Sequence, residues 1–118
     1  MDHFEHERLD VYKTAIQFVG IADQLIDALP RGRRHLADQL GRASTSVSLN
    51  IAEGAGEFAP AEKARFYRIA RRSATECAAI LDVCATLRIA DPTPLAACRD
   101  LLLRIVAMLT KMVLNAPH

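Results

Sequence analysis

The chain has 118 residues, of which 51% are hydrophobic, 25% charged and 5% aromatic with no Trp, so it is long enough to bury a core without staples and too poor in aromatics to suggest a β-sandwich. Fifteen basic and fourteen acidic residues leave a net charge of +1, which excludes a global pull on nucleic acid or anionic lipid. The charge is segregated, however: residues 1–29 carry two basic and six acidic groups, whereas residues 62–76 carry five basic and two acidic groups.

A first helix is expected over residues 8–29, because Leu9, Tyr12, Ile16, Val19, Ala22, Ile26 and Leu29 recur in steps of three and four. Pro30 and Gly32 end it. His3 and His6 stand before it at a spacing that suits a metal on a helix, but in a terminal segment that frays, so no metal site is assigned. Arg31, Arg33, Arg34 and His35 form a basic group at the turn into the second helix.

The second helix is expected over 33–53, with Leu36, Leu40, Ala43, Val47 and Ile51 inward and Gly54 closing it as a left-handed residue. Ser44, Thr45, Ser46 and Ser48 are mediocre helix formers whose small size admits a neighbouring backbone. Glu53 lies in the last turn, where the carbonyl end of the helix disfavours an acid, so a partner for it is expected. Gly54-Ala55-Gly56 follows a helix and lacks the strand and Lys-Ser/Thr ending of a phosphate loop; helix termination explains it better.

Pro60 begins a third helix, 60–88, with Phe66, Ile69, Ser73, Cys77, Ile80, Cys84 and Leu87 on its inner face. Thr93 as N-cap and Pro94 at the first position begin a fourth, 94–115, packed through Leu95, Cys98, Leu102, Ile105, Leu109 and Met112. Arg99, Asp100, Arg104 and Lys111 would be costly in a bilayer, so this apolar segment is not read as a membrane span. Leu101, Val106, Met108, Val113 and Leu114 add apolar surface beyond the bundle face. Such a helix is covered on two sides, which predicts another subunit.

Short connections between these helices predict one all-α domain over 1–118, an antiparallel up-down-up-down four-helix bundle that associates with itself. Cys77, Cys84 and Cys98 are an odd set in a chain without a recognisable signal peptide, which points to the cytoplasm and to free thiols. Without a Cys-x-x-Cys or a neighbouring His they are read as packing residues. No cofactor is expected.

Leu9-Asp10-Val11-Tyr12, Leu29-Pro30, Asp38-Gln39-Leu40, Arg42-Ala43, Ser46-Val47, Asn50-Ile51-Ala52-Glu53-Gly54 and the stretch from Phe66 to Glu76 follow one another in an informative order. Together they resemble the four-helix-bundle proteins encoded in intervening sequences of large-subunit ribosomal RNA genes, a family that includes the accessory variability protein of diversity-generating retroelements. The resemblance runs from Phe4 to about Leu109. It implies a homopentameric barrel and, for the retroelement branch, a basic surface that binds nucleic acid and a partner reverse transcriptase. Departures from the family pattern are Arg72 before Ser73, where Gly is usual, Glu57 after Gly56, and Ala59 in place of a Ser or Thr cap. Glu57 removes positive charge from its loop, so an RNA contact is not transferred to that loop.

Two groups of candidate residues result. Arg65, Arg68 and Arg72, with Arg71 beside them, fall on one arc of the third helix, and guanidinium forks suit phosphate oxygens; Arg33 and Arg34 form the second part of this nucleic-acid-binding set. The alternative for these arginines is a solvated face, or pairing with the acidic first helix of the same or another subunit. Asn50, Glu53, Ser73 and Glu76 form a polar cluster between helices two and three, read either as a catalytic carboxylate pair or as a hydrogen-bonded pin of the helix register. The pin is preferred because no nucleophile or metal-ligand set accompanies it. The expected function is a non-enzymatic homo-oligomer that presents repeated charge to structured RNA. The rival is a protein adaptor for a larger enzyme such as a reverse transcriptase, without nucleic-acid contact.

Overall fold

In the computed structural model, which describes residues 2–115, four helices follow a short 3-10 turn at Glu5–Arg8: α1 Asp10–Ala28, α2 Arg34–Ala55, α3 Pro60–Thr86 and α4 Pro92–Leu114. There is no strand among the described residues. Residue 1 and residues 116–118 of the expected domain lie outside them. α1 packs on α2 and α4, α2 on α3, and α3 on α4, while the backbones of the pairs α1/α3 and α2/α4 stay apart across the core among the described residues. The largest fully buried side chains, Phe18, Leu40, Ile51, Leu102, Ile105 and Leu109, come from α1, α2 and α4.

α3 contributes a core face of smaller residues. Ala64, Tyr67, Ala70, Ala74, Cys77, Ile80, Leu81 and Cys84 are buried, whereas the expected Phe66 and Ile69 are only half-buried and Leu87 is exposed. The bulky residues mark the edge of the inner face and the alanines mark its centre, because a helix packs closest where side chains are short. On α4, Leu101 is buried and Val106, Met108, Met112 and Val113 pack against the core. The apolar excess read on that helix is therefore largely absorbed by the bundle itself, and the large apolar side chains left open there are Leu103 at 56% and Leu114 at 74% exposure.

Helix ends follow local chemistry, with two corrections. α1 stops at Ala28 because Pro30 holds Leu29 in an extended conformation, φ −65° and ψ 141°, and Gly32 turns the chain at φ +89°. α2 does not close at Gly54, which is a buried helical residue; the helix runs to Ala55 and is capped at Gly56 in a right-handed conformation. α4 starts earlier than expected, with Asp91 as N-cap accepting a 3.1 Å hydrogen bond from Thr93 N and Pro92 at the first position. The Asp91 carboxylate satisfies the orphan Thr93 amide, so Thr93 lies inside the first turn and does not cap it. α3 ends in a Schellman arrangement: Ile89 N donates to Cys84 O and Arg88 N to Ala85 O, both at 3.1 Å, with Arg88 at φ +56°.

Candidate nucleic-acid interface and the polar seam beside it

The start of α3 is tied to the end of α2 by a lysine and a glycine. Lys63 Nζ donates to Gly54 O at 2.7 Å and to Ala55 O at 3.1 Å, placing a cation at the carbonyl end of α2, where the helix carries partial negative charge. The same ammonium stands 5.9 Å from the centre of the Tyr67 ring. A Cβ on Gly54 would lie 2.6 Å from Tyr67 Cε1 and 3.2 Å from the Lys63 carbonyl, so Gly54 serves close approach. Ala59 offers no cap to α3, but Glu57 Oε1 accepts from Phe58 N at 3.1 Å and from Ala59 N at 3.5 Å. The residue that departs from the family pattern in charge thus holds the loop.

From this anchor the helix presents its arginines differently. Arg65 is exposed, donates through Nε to Glu62 Oε2 at 3.1 Å and holds its guanidinium 5.0 Å from the Phe66 ring centre. Arg71 is half-buried and turns towards α4, where Nη1 donates to Thr110 Oγ1 at 3.5 Å. Arg68 and Arg72 are exposed and make no side-chain hydrogen bond or ion pair among the described residues. Arg33 is the half-buried N-cap of α2 and Arg34 its exposed first residue. Since Ser46 of α2 stands opposite Ser73, Arg34 is separated from the level of Arg72 by roughly 18 Å of helix at 1.5 Å per residue. The structure does not bring the two basic groups together.

The polar seam between α2 and α3 is built on a residue outside the expected cluster. Ser46 Oγ meets Ser73 Oγ at 2.9 Å, and Asn50 Nδ2 donates to Ser46 O at 2.9 Å and to Ser46 Oγ at 3.1 Å. Asn50 and Ser73 are thereby joined through Ser46. Glu53 and Glu76 are exposed and make no side-chain hydrogen bond or ion pair among the described residues, so the partner expected for Glu53 is not found and nothing joins Glu53 to Glu76. The small polar run Ser44 to Ser48 was the sequence signal for Ser46.

The three cysteines are buried and free. Burial, helped by Glu76 and Cys98, pushes the Cys77 thiol up to about 12, and burial pushes Cys98 up to about 11. Both are thiols at neutral pH. His3 Nδ1 pairs with Asp2 Oδ1 at 2.7 Å, and His6 lies between Phe4 and Tyr12, with ring centres 5.7 and 4.5 Å away. Among the described residues no group of three or more His, Cys, Asp or Glu side chains is placed to hold a metal, and no helix is long and apolar enough to cross a membrane.

The pattern of the 23S rRNA-intervening sequence protein family matches residues 7–111, from the end of the 3-10 turn through most of α4. The chain belongs to that family. Among solved structures, a protein of unknown function from the S23 ribosomal protein family of Bacteroides thetaiotaomicron is similar, with a TM-score of 0.81 over 87% of this chain and 97% of that one. At 18% identity the likeness is one of fold. No curated protein matches. In this 23S rRNA-intervening sequence protein, Gly54, Tyr67 and Lys63 join the end of α2 to the start of α3.

Proposed function

We propose that this 23S rRNA-intervening sequence protein is a non-enzymatic cytoplasmic scaffold: an up-down-up-down antiparallel bundle that closes into a ring, of five copies on the family resemblance, and offers structured RNA a repeated basic face. The observation that carries the reading is the pair Arg68 and Arg72, exposed on a rigid helix with no carboxylate partner among the described residues. Guanidinium groups without an internal partner are available to phosphate oxygens, and a ring multiplies a contact too weak for one copy. The meeting of Ser46 with Ser73 and of Gly54 with Lys63 supports the antiparallel order. Val83 and Leu87 at the end of α3 and Leu103 and Leu114 on α4, all exposed, support self-association. Arg65 and Arg71, engaged with Glu62 and Thr110, play a lesser part in phosphate binding, and Arg33 and Arg34 extend the basic surface at a distance.

The test is filter binding of a structured RNA over a salt series. The expected result is affinity that falls steeply as salt rises, and loss of binding in the Arg68→Glu, Arg72→Glu double variant with unchanged particle mass. If the wild type binds no RNA at low salt, the adaptor reading takes its place. If the variant falls apart, these arginines belong to the contact between copies.

A further inference from the structure

The end of the bundle that holds the 3-10 turn and the α2–α3 loop carries an open groove that the RNA reading does not use. Phe4 and Phe58 line it at 69% and 98% exposure, and the carboxylates of Glu5, Glu53 and Glu57 surround them. Two large aromatic rings left in water are unfavourable by themselves, since apolar area gains stability only when removed from solvent. The backbone that carries Phe58 and the ring of Phe4 are nevertheless held in place. The Glu57 carboxylate accepts the Phe58 and Ala59 amides, and Phe4 stacks on His6, which packs edge-on against Tyr12. One ammonium, Lys63, also lines the groove, bonded to the carbonyls of Gly54 and Ala55; it keeps its charge, and the three carboxylates outnumber it.

We infer that this groove docks a cationic, apolar segment of another protein, with apolar side chains on Phe58 and Phe4 and arginine or lysine heads on Glu5, Glu53 and Glu57. The charge selects the occupant: carboxylates repel a phosphate backbone, while an arginine gains both from them and from the face of an exposed ring. A nucleic acid is therefore disfavoured at this end, and Arg68 and Arg72 do not line the groove. The molecule would then join two unlike partners, a polyanion on α3 and a basic protein at the loop end.

Fluorescence anisotropy with three synthetic helical peptides tests the inference: one with arginines along one face and leucines along the other, one with glutamates replacing the arginines, and one with serines replacing the leucines. The arginine–leucine peptide is expected to bind saturably, the other two at least about tenfold more weakly, in keeping with loss of an anchoring contact. Phe58→Ser and Glu53→Gln should each weaken the first peptide, with unchanged thermal melting because both side chains are exposed, and Arg68→Glu with Arg72→Glu should leave it unaffected. No binding of the first peptide, equal binding by Phe58→Ser, or equal binding of the glutamate peptide would overturn the site. So would dissociation of the protein's own oligomer by Phe58→Ser, which would assign the groove to a neighbouring copy.

Discussion

A methyl group at Gly54 would press on the Tyr67 ring at 2.6 and 2.9 Å and on the Lys63 carbonyl at 3.2 Å. Alanine normally gains about 1 kcal/mol over glycine inside a helix, yet Tyr67 is buried and the α3 backbone stands behind it, so overpacking of about 1–3 kcal/mol wins. Gly54→Ala should lower the midpoint of urea unfolding, and an unchanged or raised midpoint would show that the α2–α3 junction yields. At the cysteines the sign comes from burial. Cys77 and Cys98 ionise near 12 and 11 in the native state, against an ordinary 9.0, so the native protein holds their protons longer than the unfolded chain does. Their contribution is intact below about pH 9 and is lost as pH climbs from there towards the native values. Urea midpoints measured at about pH 8 and pH 10 should fall, and the fall should be shallower in the Cys77→Ala, Cys98→Ala variant; equal slopes would contradict the assignment.

Among the elements, the ends of α3 and α4 separate what periodicity can read from what it cannot. Pro60 announces the start of α3 because proline at the first position loses nothing, and the structure agrees. The stop of α3 carries no glycine signal: Arg88 occupies the left-handed position of the Schellman turn at φ +56°, a conformation that L-residues adopt at a cost of about 1–2 kcal/mol. Arg88→Gly should therefore raise the melting temperature, with a gain of roughly 1 kcal/mol, and a lowered one would show that the arginine side chain contributes more than its backbone costs. Four helices and the inner face of α2 are readable in the chain because Leu, Ile and Val carry them. On α1 the expected face is turned away from the true one: of its residues Ala22 is buried and Ile16 is exposed, while the core side is made by Val11, Thr14, Ala15, Phe18 and Leu25. The inner face of α3 is not readable either, since Ala70 and Ala74 weigh little in any hydrophobic count although they mark the closest approach. The seam shows the same limit. Asn50 and Ser73 are conspicuous polar residues in helices, whereas the Ser46 that joins them looks like one more small residue in a serine-rich run. Lys63 and Glu57 act on backbone groups, which no side-chain pattern reveals.

For the whole molecule, the large charge difference between the first 29 residues and the start of α3 becomes a difference of place. The backbones of α1 and α3 do not come close among the described residues, and no ion pair among them joins the acidic first helix to Arg68 or Arg72. Two unlike faces on one protomer favour head-to-tail contacts, which close into rings when the rotation permits. Both the proposed RNA face and its avidity depend on that closure. Sedimentation velocity at micromolar concentration tests it most directly: the account predicts a single species near five times the 13.0 kDa chain mass, whereas a stably folded species at the mass of one chain would contradict it.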